Sequence, residues 1–341
     1  MDGGDEPGGR LAADGGVFQG EALKMQPHND PEFLRNLLSG ERTAIARAIT
    51  LVENDHPSAP GLLRSLYTST GRAYRVGITG PPGAGKSTIT NKLAKLLRAE
   101  GGRVGIIAVD PTSPFTGGAL LGDRVRMTDV ELDEGVFIRS MATRGSLGGL
   151  SRKSREAADV LDAAGTDFIL IESVGVGQSE LDIVRAADTT VVVLVPESGD
   201  SIQAMKAGLM EIADFFVVNK ADRPGADQAV MSIRTVLGFK PHSDAWRPGV
   251  IQAVASEGKG IDAIAALIGK HRAYQEAGDI LRRKRMDRIR ERIREMVGER
   301  LQVRFWNDKR EAALERNVGP VYELRTTPYE VADELVRTFP G

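Results

Sequence analysis

One short loop leaves the chain little choice of fold. Gly80-Pro81-Pro82-Gly83-Ala84-Gly85-Lys86-Ser87 fits the pattern G-x-x-x-x-G-K-[ST]. Before it runs Tyr74–Thr79, an apolar stretch of strand length. After it, Ile89, Leu93, Leu96 and Leu97 recur at helical spacing until Gly101-Gly102 stops the helix. Strand, loop and helix in that order are the context a phosphate-binding loop needs. The backbone from Gly80 through Gly83, Ala84, Gly85, Lys86 and Ser87 to Thr88 turns N–H groups toward an anion. The helix N-terminus adds its partial positive charge. Lys86 is expected to reach the β- and γ-phosphates of a nucleotide and Ser87 to ligate Mg²⁺.

The rest of the middle segment repeats the same alternation. Expected strands are Tyr74–Thr79, Arg103–Asp110, Val136–Met141, Asp167–Ser173, Thr190–Pro196, Phe215–Asn219 and Val250–Ala255. Expected helices lie at 87–99, 151–164, 179–187, 201–212 and 226–237. Runs such as Val104–Val109 and Thr190–Val195 are nearly continuous in apolar residues, which signals burial on both faces. The expected fold class is α/β: a doubly wound, mostly parallel sheet of the P-loop NTPase type, with helical N- and C-terminal extensions. The expected organisation is a disordered tail over 1–28, a helical extension over 29–72, the nucleotide domain over 73–262 and a C-terminal helical extension over 263–341. Ligands of such sheets bind at the carboxyl ends of the strands, and every motif below falls at such an end.

Asn219-Lys220-Ala221-Asp222 closes the strand Phe215–Asn219 and fits N-K-x-D. An aspartate there accepts two hydrogen bonds from guanine, at N1–H and at the N2 amino group. Adenine lacks that donor pair and leaves a buried carboxylate unpaired, at a cost on the order of 10²–10⁴ in selectivity. Asn219 and Lys220 brace the loop and the ring. Ser256 and Glu257, after the last strand, offer a second base-edge contact. The expected ligand is GTP or GDP.

Asp110 ends the second strand and faces the phosphate loop, where a carboxylate holds Mg²⁺ directly or through water. Asp123, in the Gly-, Pro- and Ser-rich stretch that follows, fits the same role or a helix cap. Glu172 ends the strand Phe168–Ile171 as the acid expected there, and Gly175 is placed to sense the γ-phosphate. Val176, rather than a water-orienting Gln, follows Gly175, and Gln178 comes two positions later. Slow intrinsic hydrolysis is therefore expected. Arg144, in Thr143–Gly149, fits either a phosphate contact or a surface turn. Residues 196–206 fit a mobile segment, with Asp200 alternatively a plain N-cap.

Composition narrows the alternatives. Among 341 residues there are no cysteines, which excludes disulfides and thiolate chemistry, and four scattered histidines, which argue against a His-built metal site. The net charge of −2 gives no global field for nucleic acid. No apolar run is long enough to span a bilayer, and the N-terminus does not read as a secretory signal, so a cytoplasmic protein with no membrane partner is expected. Near the C-terminus Met286, Ile289, Ile293, Met296, Val297 and Leu301 form a helical stripe, compatible with intrachain packing or a subunit interface. Its other face is Arg-rich but interleaved with Asp287, Glu291, Glu295 and Glu299, as a solvated face would be.

Taken together, Gly80–Thr88, Val109–Met127, Thr143–Gly149, Ile171–Gln178 and Asn219–Asp222 resemble the MeaB/ArgK family, the methylmalonyl-CoA mutase-associated GTPases of the SIMIBI class. The resemblance covers about residues 30–305. It implies a GTPase that chaperones an adenosylcobalamin-dependent acyl-CoA mutase, gating cofactor delivery by an adenosyltransferase and protecting or reactivating the mutase. It further implies a homodimer with N- and C-terminal helical extensions around the GTPase domain, the C-terminal extension over 263–341 being the expected dimerisation element. Lys86, Glu172 and Asp110 would carry catalysis, with Ser87, Asp110, Asp123 and Glu172 around Mg²⁺. Glu197–Lys206 matches a third switch. The departures are Ser173, where Thr is common, and Glu197-Ser198, where small residues are common. Which mutase is served stays open. A nickel-type metallochaperone GTPase, a P-loop kinase and a non-catalytic nucleotide sensor are the alternatives.

Overall fold

The computed structural model describes residues 30–110, 130, 132–142, 152–175, 179–196, 209–238 and 246–339. These fall into two compact units divided between Tyr274 and Gln275. The first unit holds a seven-stranded sheet in the order β3-β2-β4-β1-β5-β6-β7. The strands are β1 (Tyr74–Thr79), β2 (Val104–Asp110), β3 (Val136–Ala142), β4 (Phe168–Glu172), β5 (Thr189–Leu194), β6 (Phe215–Asn219) and β7 (Gly249–Ala253). Every neighbouring pair is parallel, so all seven carboxyl ends lie on one edge. The doubly wound sheet expected from the apolar runs is present, and each expected strand lies within two residues of an observed one.

The physical reason is burial. Val191, Val192 and Val193 are wholly enclosed, as are Ile169–Ile171 and Phe215–Val218. Helices cover both faces, because parallel strands need crossovers that return over the sheet. Among the described residues these are α4 (Lys86–Ala99), α5 (Arg152–Ala163), α6 (Ser179–Ala186), a single turn at Met210–Ile212, α7 (Ala226–Gly238) and α8 (Ile261–Ala277).

Three helices precede the sheet: α1 (Pro31–Leu38), α2 (Arg42–Glu53) and α3 (Ala59–Leu66). Asp30 caps α1 through the N–H groups of Glu32 and Phe33, and Pro31 occupies the first turn, where its missing N–H costs nothing. Glu41 caps α2 through Thr43 and Ala44, both at 2.7 Å, and those bonds hold its carboxyl below the usual range. The apolar faces of these helices share one core with Ile107, Val109, Met141, Val160, Leu161 and Ile171 of the sheet layer. Polar ties complete the join. Arg139 of β3 meets Glu53 at 2.5 Å, and Arg152 and Lys153 of α5 meet Asp55. Buried Asp162 accepts the N–H groups of Gly71, Arg72 and Ala73 at 2.8–3.0 Å and pairs with Arg75.

The second unit contains α9 (Ile280–Phe305), α10 (Asp308–Tyr322) and α11 (Pro328–Arg337). Arg310 ties the end of α9 to the segment after α11. Its guanidinium lies 5.0 Å from the Phe305 ring and 5.1 Å from Phe339, and donates to the carbonyls of Phe305 and Thr338. The stripe Met286, Ile289, Ile293, Met296, Val297 and Leu301 on α9 stays between 37% and 55% exposed. No helix among the described residues is long and apolar enough to cross a membrane.

Candidate functional site

The carboxyl edge of the sheet gathers four chain segments. β1 passes into the phosphate loop at Gly80, and α4 opens at Lys86 with Gly85 as its N-cap at φ 90°. That φ is open to glycine and strained for other residues. A Cβ at Gly85 would also overlap the Asn219 side chain. Asn219 is the reason for the crowding. Its Nδ2 donates to the Ala84 carbonyl at 2.8 Å, and its Oδ1 accepts the Ala255 N–H at 3.0 Å. One buried amide thus joins the phosphate loop, the end of β6 and the segment after β7.

The neighbouring turn is held as firmly. Lys220 sits at φ 56°, Ala221 N–H bonds the Ala253 carbonyl at 3.0 Å, and Asp222 is exposed. Ala255–Glu257 form a single 3₁₀ turn, closed by Val254 N–H to the Lys259 carbonyl at 3.1 Å. Ser256 and Glu257 are exposed on it. Glu257 pairs with Lys259 at 2.6 Å. The hydrogen bond to Glu257 raises the Lys259 ammonium pKa, with Asp222 adding to the effect, so Asp222 and Lys259 belong to one electrostatic neighbourhood.

At the phosphate end, the buried Lys86 Nζ donates to the Gly80 and Pro81 carbonyls at 2.9 and 3.1 Å. Ser87 Oγ donates to Glu172 Oε1 at 2.6 Å. Thr88 is exposed on the first turn of α4. Gly175, at φ 87°, rests on the loop so closely that a Cβ there would overlap the Gly80 carbonyl and come within 2.5 Å of Lys86 Nζ.

The expected cation ligands are only partly in view. Among the described residues no group of three or more His, Asp or Glu side chains converges. Ser87 and Glu172 are brought together as a hydroxyl and a carboxylate, the hard oxygen donors that suit Mg²⁺. Asp110 closes β2 opposite Ala142; its side chain lies outside the described residues. So do Asp123, Arg144, Val176–Gln178 and Glu197–Lys206. Thr79 and Lys259 also belong to this edge without standing in any of the motifs, and the i,i+2 spacing of Glu257 and Lys259 across Gly258 is the sequence signal of their pairing.

A nucleotide-binding loop tied through one asparagine to an N-K-x-D turn is the geometry of a guanine-nucleotide site. The model of the family described as methylmalonyl Co-A mutase-associated GTPase MeaB matches residues 45–310. The chain belongs to this family. A Pyrococcus abyssi protein is 49% identical over 313 residues, covering 91% of this chain and 97% of the relative. The GTPase ArgK of Escherichia coli is 41% identical over 241 residues, 68% of this chain and 73% of that one. The mitochondrial methylmalonic aciduria type A homolog of Caenorhabditis elegans is 34% identical over 346 residues, 95% of this chain and 86% of that one. A crystal structure titled LAO/AO transport system kinase superposes with a TM-score of 0.70 at 30% identity, covering 90% of this chain and 96% of that one. The protein is a P-loop GTPase of the MeaB/ArgK family.

Proposed function

We propose that the chain hydrolyses GTP to GDP and phosphate as a switch that chaperones an adenosylcobalamin-dependent acyl-CoA mutase. In this reading it controls loading of the mutase's cofactor, with an adenosyltransferase as the source, and protects or reactivates the mutase. The observation that carries the nucleotide half is the Asn219 bridge, which sets the phosphate loop and the Asp222 turn at a fixed separation. The partner half is supported by the description of the matching family.

In this reading each site residue has a role. N–H groups from Gly80, Gly83, Ala84, Gly85, Lys86, Ser87 and Thr88 cradle the phosphates, and Lys86 exchanges its loop carbonyls for β- and γ-oxygens. Asp222 accepts from the guanine edge, with Asn219, Lys220, Ser256 and Glu257 shaping the pocket. Ser87 and Glu172 would hold Mg²⁺, together with Asp110 and Asp123. Mg²⁺, when bound, neutralises charge developing on the phosphate oxygens. Lys86, Glu172 and Asp110 serve catalysis, and Gly175 reports the γ-phosphate. Intrinsic turnover is slow because no Gln directly follows Gly175 to orient the attacking water. Two copies pair through the stripe on α9, which offers six apolar side chains left half-exposed in the single chain.

The test is GTP turnover measured alone and with a methylmalonyl-CoA-type mutase from the same source. Stimulation by the mutase is expected. Turnover indifferent to every such mutase would remove the chaperone half of the reading and leave the nucleotide site standing.

A further inference from the structure

β1 and β4 are neighbours, paired up to Ile78 opposite Glu172. One bond continues the ladder beyond that point, from Ser173 N–H to the Ile78 carbonyl at 3.0 Å. Then the side chains take over. Thr79 Oγ1 and Ser173 Oγ lie 2.7 Å apart, and both residues are buried. Immediately beyond, the two chains separate into the loops that carry the chemistry. Thr79 is followed by Gly80, whose carbonyl takes Lys86 and lies under Gly175. Ser173 is preceded by Glu172, which meets Ser87 of the phosphate-loop helix.

We propose that Thr79 and Ser173 are positioning residues for hydrolysis: their hydroxyl–hydroxyl bond sets the spacing between the phosphate loop and the Glu172 loop. The proposal rests on the reading of Ser87 and Glu172 as the cation end of the site. A hydroxyl pair is a good spacer for a geometric reason. Two oxygens sharing a proton approach to 2.7 Å, whereas apolar carbons in contact stay about 3.5–4.0 Å apart. Replacing the Thr79 hydroxyl by the methyl of valine therefore pushes the roots of the two loops apart by about 1 Å, and deleting the Ser173 hydroxyl leaves them without the tie; a displacement of that size can cost ~100-fold when it reaches reacting groups. The base pocket, built on β6 and β7, is not on this path.

The test uses the full chain and three variants at the pair: Thr79→Val, which keeps the shape, Ser173→Ala, and Ser173→Thr, which keeps the hydroxyl. Two quantities are read besides turnover. One is release of a fluorescent GDP with and without Mg²⁺, and the other is GDP affinity in EDTA. Thr79→Val and Ser173→Ala are each expected to lower kcat, and the Mg²⁺-induced slowing of GDP release, by about 10-fold, as loss of an outer partner does at metal sites. GDP affinity in EDTA is expected to stay within about threefold, less than 1 kcal/mol. Ser173→Thr keeps wild-type behaviour, and the double variant is no worse than the worse single one, because both lose the same bond. Singles that match wild type in both readouts overturn the proposal. So does an equal loss of GDP affinity in EDTA, which marks general damage. Glu172→Gln serves as the reference. If Mg²⁺ slows GDP release from Glu172→Gln as fully as from wild type, the cation reading falls and the positioning role with it. If Glu172→Gln loses that slowing while Ser173→Ala and Thr79→Val keep it, only the positioning role falls.

Discussion

Replacing Asn219 with alanine removes a side chain that ties the phosphate loop to the segment after β7. Two buried groups are left facing the gap, the Ala84 carbonyl and the Ala255 N–H, which now bond Asn219 at 2.8 and 3.0 Å. A buried polar group stripped of its partner costs about 1–3 kcal/mol. Some relaxation toward the cleft reduces the sum, so about 2–4 kcal/mol of stability should be lost. At about 2–4 °C per kcal/mol for a chain of this size, the melting temperature should fall by roughly 4–16 °C. Binding suffers separately. GDP needs the phosphate loop and the Asp222 turn at one separation, and without the bridge it must impose that separation itself. A loss of at least about 1.4 kcal/mol, or tenfold, in GDP affinity is expected. The assays are thermal melting of the nucleotide-free protein and titration with GDP at a temperature well below both melts. A variant that melts within a degree of wild type and binds GDP equally well would refute the bridging role. A lower melting temperature with unchanged GDP affinity would leave Asn219 structural only.

Three further outcomes follow from the same structure. Asp162→Ala should destabilise the first unit by about 2–4 kcal/mol, because it strands three N–H groups and removes one of the two carboxylates paired with Arg75, which keeps Asp159, while GTP turnover per folded molecule stays at the wild-type value; denaturant unfolding and turnover at low temperature check both halves. Glu41 has its folded pKa held below the ordinary 4.5, first by the Thr43 N–H and then by that of Ala44, so its contribution is present above pH 4.5 and is lost as pH falls through the depressed value; Glu41→Gln should lower the melting temperature at pH 7, with the gap closing as the pH is taken down through that range. Ile293→Glu with Leu301→Glu, both on the exposed stripe of α9, should convert a dimer to a monomer by light scattering without lowering GDP affinity.

Much of this architecture is legible before any coordinates. The phosphate loop is written in residues with few alternative uses, since positive φ at Gly83 and Gly85 demands glycine and the helix entry follows at Lys86. The strands are legible because a sheet covered on both sides must be apolar on both sides. What stays hidden is contact across sequence distance. Thr79 and Ser173 are 94 residues apart, and Asn219 and Ala84 are 135 apart; neither spacing leaves a local mark. The helix α10 is hidden for another reason. Gly319 and Pro320 read as helix breakers, yet they sit in its last turn, while the start at Asn307, capping the Arg310 N–H, carries the true signal. Likewise the run from Pro31 to Glu53 reads as one apolar periodicity but breaks at Ser39–Glu41, where Gly40 takes φ 87° and Glu41 caps a new helix.

The central claim is that the Asp222 turn, fixed to the phosphate loop, makes this a guanine site. Competition of GDP, ADP and xanthosine diphosphate against a fluorescent GDP tests it directly, on the wild type and on Asp222→Asn. A carboxylate accepts from the guanine amino group, whereas a carboxamide donates to the xanthine oxygen at the same position. The account predicts that wild type prefers GDP over ADP by on the order of 10²-fold or more, and that Asp222→Asn exchanges guanine for xanthine. Comparable affinity of the wild type for ADP and GDP, or an Asp222→Asn protein that still prefers GDP, would contradict it.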